Sequence, residues 1–397
     1  MEIMDTNETL MQDIVYCSTR SIKWRHLFLG VFRKHDLPDW PQLSGASIIP
    51  FYLGRVALWF LCQHWQIKPG DEILMPAYNC GSEVDPFCAC GANVIFYPVD
   101  EKAQIDYAGL KNRCTAKTRI VYITHYFGWP HEIGPLYQWC KERNIKVVED
   151  CAMSLFSRSS EGCLGTLADA SIFSFRKTLS VPDGAALVLK DSVDTESLSF
   201  KHPSYRQTFK NLLPFVKSSG LAMLNQCRMY KPLRRMKMKS YVRKKLIEES
   251  ENEIKPDIPA DYYFDRKLIN WSISNISCGI LRQENPDVVI RRRRENYLTL
   301  YHALKDLHGV KMLFDTLPEG VCPLGFTMIV SYREKMTKAL NAMGITAYPW
   351  WGGYHRDFCW DDFPEAKNLK DNLLYLPINQ TLNETNMQYI VSCVRRL

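Results

Sequence analysis

Ser171-Ile172-Phe173-Ser174-Phe175-Arg176-Lys177-Thr178 is the stretch that decides how this chain reads. Upstream of it lies Lys146-Val147-Val148-Glu149-Asp150, with twenty-seven positions from Asp150 to Lys177. A short apolar run ending in a carboxylate predicts a buried strand whose acid emerges at the carboxyl end. Ser171 to Phe175 predicts a second strand, and Arg176-Lys177-Thr178 turns out of it. Ala185 to Leu189 predicts a third strand, flanking the turn on its other side. An acid at a strand end with a Ser-and-Lys turn beside it is the equipment for holding pyridoxal phosphate. The Lys177 amine can form a Schiff base with the aldehyde. The Asp150 carboxylate can keep the pyridine nitrogen protonated, so that the ring acts as an electron sink.

Working outward, Glu72 to Pro76, Asn93 to Asp100 and Arg119 to Thr124 also read as short apolar strands. Helical spacing appears between them. Ala57, Phe60, Leu61 and Trp65 follow the turn at Gly54, and Ile133 to Arg143 forms another helical stretch. Apolar strands alternating with helices predict βαβ units and an α/β fold with a mostly parallel central sheet. Ligands of such sheets sit at the carboxyl ends of strands, where Asn79, His125 and Asp150 all fall. After Lys267 the pattern resumes with a helix over 291–304, a strand over 326–330 and a helix over 333–343. This predicts a smaller C-terminal α/β domain. The expected organisation is an N-terminal arm at 1–45, a large cofactor-binding domain at 46–200, a basic helical insertion and connector at 201–260, and a small domain at 261–397.

A chain of 397 residues is long for a single core. No apolar run approaches the ~20 residues of a membrane span, and Met1-Glu2-Ile3-Met4-Asp5 has no secretory pattern. The fourteen cysteines are scattered. Cys88-Ala89-Cys90 has no second pair at ligand spacing, so no metal site is expected. Mostly buried thiols in a reducing cytoplasm is the plain expectation. The formal charge of +7 is local. Twelve Lys or Arg and no acid lie between Tyr205 and Ile247, and without them the chain would carry −5. Such a segment suits phosphates of a nucleotide-linked substrate, peripheral contact with an anionic membrane, or plain solvation. No nucleic-acid module is recognisable.

Several segments together resemble the DegT/StrS-type aminotransferases. They are Gly54-Arg55-Val56-Ala57, Gly70 to Asn79, Gly91-Ala92 through Val99-Asp100, His125-Tyr126-Phe127-Gly128, Val148 to Ala152, and Phe173-Ser174-Phe175 with Lys177. Their order and approximate spacing carry the resemblance over roughly residues 50 to 190. A weaker likeness continues through Asn270 and Arg293-Arg294 to Leu376-Pro377. The resemblance implies a fold type I pyridoxal-phosphate transferase. It would pass an amino group from an amino-acid donor such as glutamate to a keto sugar, usually nucleotide-linked, by a ping-pong scheme. Polysaccharide or antibiotic-sugar biosynthesis is the usual setting.

By that resemblance Lys177 is the Schiff-base lysine and Asp150 the partner of the pyridine nitrogen. Ser174 and the amides of Gly54, Arg55 and Val56 would receive the phosphate. Asn270 would reach across to the phosphate of a partner subunit, which implies a homodimer. Three features depart from the family. The Ser174–Lys177 turn is two residues shorter than usual. Cys80 stands where an aromatic usually covers the ring. Met153 stands where Gln or His usually bonds the ring oxygen, a contact its thioether cannot donate. His125 is the expected substitute for that contact, beside a plain reading as a core histidine. Two alternatives stay open, an elimination enzyme of the sugar-dehydratase kind and a non-catalytic scaffold. The family's dehydratases carry His in place of this Lys, which argues against the first.

Overall fold

The computed structural model describes residues 17, 18, 22, 36–226, 264–351, 355 and 358–397, with backbone alone for 221–226. Strands β1 (Ser47–Phe51), β2 (Glu72–Pro76), β3 (Asn93–Tyr97), β4 (Thr118–Thr124), β5 (Lys146–Asp150), β8 (Ala170–Ser174) and β9 (Ala185–Leu189) form one sheet. The intervening β6 (Arg158–Ser159) and β7 (Gly162–Cys163) make a small separate ribbon. The large sheet has the order β1-β9-β8-β5-β4-β2-β3. Pairs β3/β2, β2/β4, β4/β5 and β5/β8 are parallel. Strand β9 runs antiparallel to both β8 and β1. Two reversals restore direction, so β1 points the same way as β8 and β5.

That topology brings the site together. The carboxyl ends of β1, β8, β5, β4 and β2 share one edge, and each leads into a loop or helix carrying a polar group. Helix α1 (Gly54–His64) leaves β1, and Val56, Ala57, Leu58 and Leu61 are buried at helical spacing. Helix α2 (Gly81–Ala89) leaves β2 with Glu83, Val84 and Phe87 on its buried side. The α3 (Tyr107–Arg113) and α4 (Gly134–Lys141) helices cover the sheet beyond β3 and β4. A single-turn helix, α5 (Phe175–Thr178), leaves β8 and holds Lys177.

The predicted parallel strands and the turn at Lys177 therefore appear at the expected places, within a residue or two, except that β3 ends at Tyr97, three residues before the expected Asp100. Strand β1 was not foreseen. It adds the edge that aligns α1 with the Lys177 turn.

The basic stretch begins as helix α6 (Tyr205–Gln226). Leu212 and Phe215 of this helix are buried in a cluster with Phe156, Phe173 and Ile276. Residues 227–247, and most of the connector expected around 256–265, lie outside the described residues. Helices α7 (Asn275–Leu281) and α8 (Pro286–Leu304) follow. Then β10 (Val310–Met312), β11 (Phe326–Val330), β12 (Tyr348–Pro349) and β13 (Leu373–Leu376) form an antiparallel sheet in the order β10-β11-β13-β12. Helices α9 (Arg333–Ala342), α10 (Pro364–Asn372) and α11 (Glu384–Val394) pack around it. One apolar cluster runs from Tyr78, Tyr126, Phe127 and Met153 into Phe326, Trp350 and Leu376, so the two sheets meet across a continuous core. None of the described helices is long and apolar enough to cross a membrane.

Candidate active site

A cavity of about 680 Å³ opens between the two sheets. Asp150, Ser174 and Lys177 line it together with Gly54 and Arg55, so five of the sequence-predicted residues converge. Asp150 is the last residue of β5 and is 1% exposed. Its Oδ1 accepts the Ala152 amide at 2.8 Å, which fixes the carboxylate at the strand end. Ser174 occupies the N-cap position of α5 but makes no side-chain capping bond. The first turn of α1 likewise has no side-chain cap, because Leu53 stands at its N-cap. Uncapped amides at a helix start favour an anion. Val56 is buried and does not line the cavity.

The Lys177 turn is braced from the opposite side. Arg293 of α8 is 2% exposed. It donates to the Thr178 carbonyl at 2.6 Å, to Leu324 at 2.7 Å and Pro323 at 3.2 Å, and to Gln380 Oε1 at 3.1 Å. The planar guanidinium thereby fixes the residue next to Lys177 against the second sheet. The ring of Trp351 lies 5.9 Å from Lys177 Nζ and is held by Tyr78 at 5.0 Å between ring centroids. Beside it, Tyr348, Trp350 and Tyr375 stack on one another at 4.6 to 5.6 Å and form an aromatic wall of the cavity.

Two expectations need correcting. His125 is fully buried and does not line the cavity. Its Nε2 pairs with Glu149 Oε2 at 3.1 Å, and its Nδ1 accepts the His131 amide at 3.1 Å. Glu149 in turn accepts the amides of Gly165, Leu167 and Ala168. Gly165 has φ +87, and a Cβ there would meet the Phe173 ring at 2.5 Å, so only glycine lets that backbone approach. Burial works to raise the Glu149 carboxyl, but the bonds from His125, Ala168 and Gly165 outweigh it and hold it below its ordinary range. His131 is pushed down to about 3 by burial and by His125, so it stays neutral. His125, Glu149 and Cys151 lie within 4.8 Å of one another, yet the His and Glu polar atoms are taken up in this network. Met153 is the second correction. It is 1% exposed within the core between the sheets and does not line the cavity, because its apolar side chain is drawn to Tyr78 and Tyr126.

Cys80 stands at the N-cap position of α2 without a side-chain capping bond, and it does not line the cavity. Its Sγ lies 3.2 Å from Ser82 Oγ, and burial and the nearby Glu83 push its thiol up. Asn270 is exposed and lies outside this cavity, its carbonyl accepting the Lys201 amide at 2.7 Å. The described part of the basic segment is not a separate appendage, since Pro214, Lys217 and Ser218 of α6 line the cavity. Ser18 joins them, 3.3 Å from the Ser218 hydroxyl.

Sequence reasoning missed Glu83, Tyr122, Trp351 and the aromatic wall. Glu83 carried a usable signal. It stands one helical turn before Phe87 on an otherwise apolar face, where a carboxylate needs a reason.

An amine on a braced turn, a fixed carboxylate one strand away and an uncapped helix start facing one cavity define the fold type I pyridoxal-phosphate class. The chain belongs to the DegT/DnrJ/EryC1/StrS aminotransferase family, whose profile matches residues 51–214 and 218–395. The cofactor that this membership implies is pyridoxal 5′-phosphate. GDP-perosamine synthase of Escherichia coli O157:H7 is 30% identical over 141 residues, which is 35% of this chain and 39% of that protein. A UDP-N-acetyl-3-dehydro-alpha-D-glucosamine 3-aminotransferase of Acidithiobacillus ferrooxidans is 21% identical over 86% of this chain and 82% of its own length. The chain thus matches about two-fifths of the perosamine synthases and most of the second relative. Among solved structures, a Helicobacter pylori aminotransferase of pseudoaminic acid biosynthesis superposes with a TM-score of 0.68 at 16% identity. It covers 96% of this chain and 98% of that one, a likeness of fold.

Proposed function

We propose that this chain is a pyridoxal-phosphate-dependent aminotransferase that aminates a nucleotide-linked keto sugar. The observation that carries the reading is the convergence of Lys177, Asp150 and Ser174 on one cavity. Bound pyridoxal phosphate supplies an aldehyde that can carry an amino group and a ring that can delocalise charge. Lys177 supplies the amine that holds the aldehyde and the base that moves a proton at the substrate carbon. Asp150 holds a proton on the ring nitrogen. Ser174 and the first turn of α1 take the phosphate. Arg55, Arg176 and Lys217 add cationic character to the lining, which suits a phosphorylated substrate. The aromatic wall of Tyr348, Trp350 and Tyr375 offers a flat surface to a sugar ring and excludes water from one side.

Glutamate is the proposed donor, in a ping-pong scheme. Retention of Lys177 in the cavity supports transfer over elimination. A homodimer is the proposed assembly, with Asn270 serving the partner's site, and sedimentation of the purified protein tests it. The described cysteines are free thiols, which fits the proposed cytoplasmic location. Absorbance of the wild type beside Lys177→Ala tests the reaction. A near-visible band that the variant lacks and that glutamate bleaches is the expected result. A wild type that stays colourless after added pyridoxal phosphate sinks the reading.

A further inference from the structure

Glu83 sits in the cavity as an acid without a hydrogen-bond partner among the described residues. Its side chain is 6% exposed, and neither carboxyl oxygen has a hydrogen-bond partner among the described residues. It lines the same cavity as Asp150 and Lys177. Buried polar groups in native proteins are bonded, and an unsatisfied one marks a ligand or a functional cost. Its neighbour Asp85 is treated differently, lying 3.8 Å from His355 Nε2. Of the two carboxylates lining the cavity, Asp150 is anchored by the Ala152 amide and Glu83 is not, and Glu83 shares the lining with Asp150 and Lys177, the two groups that would flank the cofactor ring.

We propose that Glu83 is a cofactor-contacting residue that donates its carboxyl proton in a hydrogen bond to the ring oxygen of pyridoxal phosphate. This rests on the aminotransferase reading above. It also accounts for Met153, which leaves the usual donor position apolar and turned into the core. The charge environment fits a neutral acid. Burial disfavours its ionised form most, Asp150 from β5 repels a second negative charge, and Lys177 from α5 with the nearby Cys80 backbone dipole only partly offsets them. Tyr122 from β4 and Tyr126 beyond it also face the pair, and their phenols are held protonated by burial. On balance, the Glu83 carboxyl is pushed up to about 8, so it keeps a proton to donate at neutral pH. Ketosteroid isomerase's neutral aspartic acid is an established instance of the same device.

The test is a binding cycle. Affinity for pyridoxal phosphate is measured for wild type, Glu83→Gln and Glu83→Met, against the natural cofactor and its 3-deoxy analogue, which lacks the ring hydroxyl. Glutamine keeps a donor and methionine keeps the shape, so both variants are expected to fold. Glu83→Met should bind the natural cofactor about tenfold more weakly, and Glu83→Gln within about threefold of wild type. The analogue should bind wild type more weakly but lose little further in Glu83→Met. Equal affinity of wild type and Glu83→Met for the natural cofactor overturns the proposal. So do losses from variant and analogue that simply add, because the carboxyl would then be contacting something else. A wild type that binds neither compound defeats the aminotransferase reading itself, a different result from either.

Discussion

The guanidinium of Arg293 donates to the carbonyl of Thr178, the residue beside Lys177, across the interface between the two sheets. The turn that carries the amine is therefore positioned by a helix more than a hundred residues later.

Removing that brace should be costly. Arg293→Ala leaves the Thr178 and Leu324 carbonyls buried without their donor, and unfolding in urea should show a loss on the order of 3 kcal/mol. Arg293→Lys should recover part of it, because an ammonium cannot reproduce the planar fork. Cofactor occupancy, read from the visible band, should fall in both. An unchanged midpoint would mean the brace is redundant.

Replacing Lys177 by Ala or Arg should lower transamination by at least about 10²-fold. Arginine fails for its own reason, since it remains protonated and cannot attack an aldehyde. Arg176 is next door and lines the same cavity, so rescue of Lys177→Ala by Arg176→Lys would show that the short turn lets position 176 serve.

Glu83 and Glu149 should give the cofactor-free protein opposite responses to pH. Glu83 has its carboxyl raised from 4.5 to about 8 in the fold. Its contribution is fully present below about 4.5 and is lost as pH rises to about 8. Glu83→Gln should therefore be more stable than wild type at pH 8 by a few kcal/mol, and by much less at pH 5. Glu149 is depressed, so its contribution is present above about 4.5 and fades as pH falls further. Glu149→Gln should lose stability at pH 7 and converge on wild type in acid. Thermal melts across pH 4 to 9 read both, and parallel curves would refute the assignments.

Lys217 lines the cavity and is exposed, so its effect should be modest and salt-sensitive. Lys217→Ala should raise KM for a nucleotide-linked substrate about two- to fivefold at low salt and less at high salt, with kcat little changed. A salt-independent change would point to packing instead of charge.

The floor of the site was legible in the sequence because its residues sit at regular positions. Asp150 and Ser174 end strands and Lys177 follows one, all of them on unmistakable apolar runs, and topology brings strand ends together. The walls were not legible. Trp351 and the Tyr348-Trp350-Tyr375 stack come from short strands and loops of the second sheet, where no period indicates which face meets the first. His125 also stands just past a strand, yet it stays out of the cavity lining, with Glu149 and the His131 amide taking up both ring nitrogens. Position after a strand predicted placement in the fold, but not which side chains line the cavity.

Ser18 bonds the Ser218 hydroxyl, 200 residues away, and its carbonyl accepts from Asn379, 361 residues away. Floor residues, by contrast, come from one contiguous stretch between Gly54 and Lys177. On a growing chain the floor can assemble while the rest is still being made. The rim cannot close until Asn379 has been synthesised, and its loop-closure entropy is met last. Cofactor capture and substrate enclosure are thus separate events in the life of the polypeptide, the second waiting on nearly its whole length.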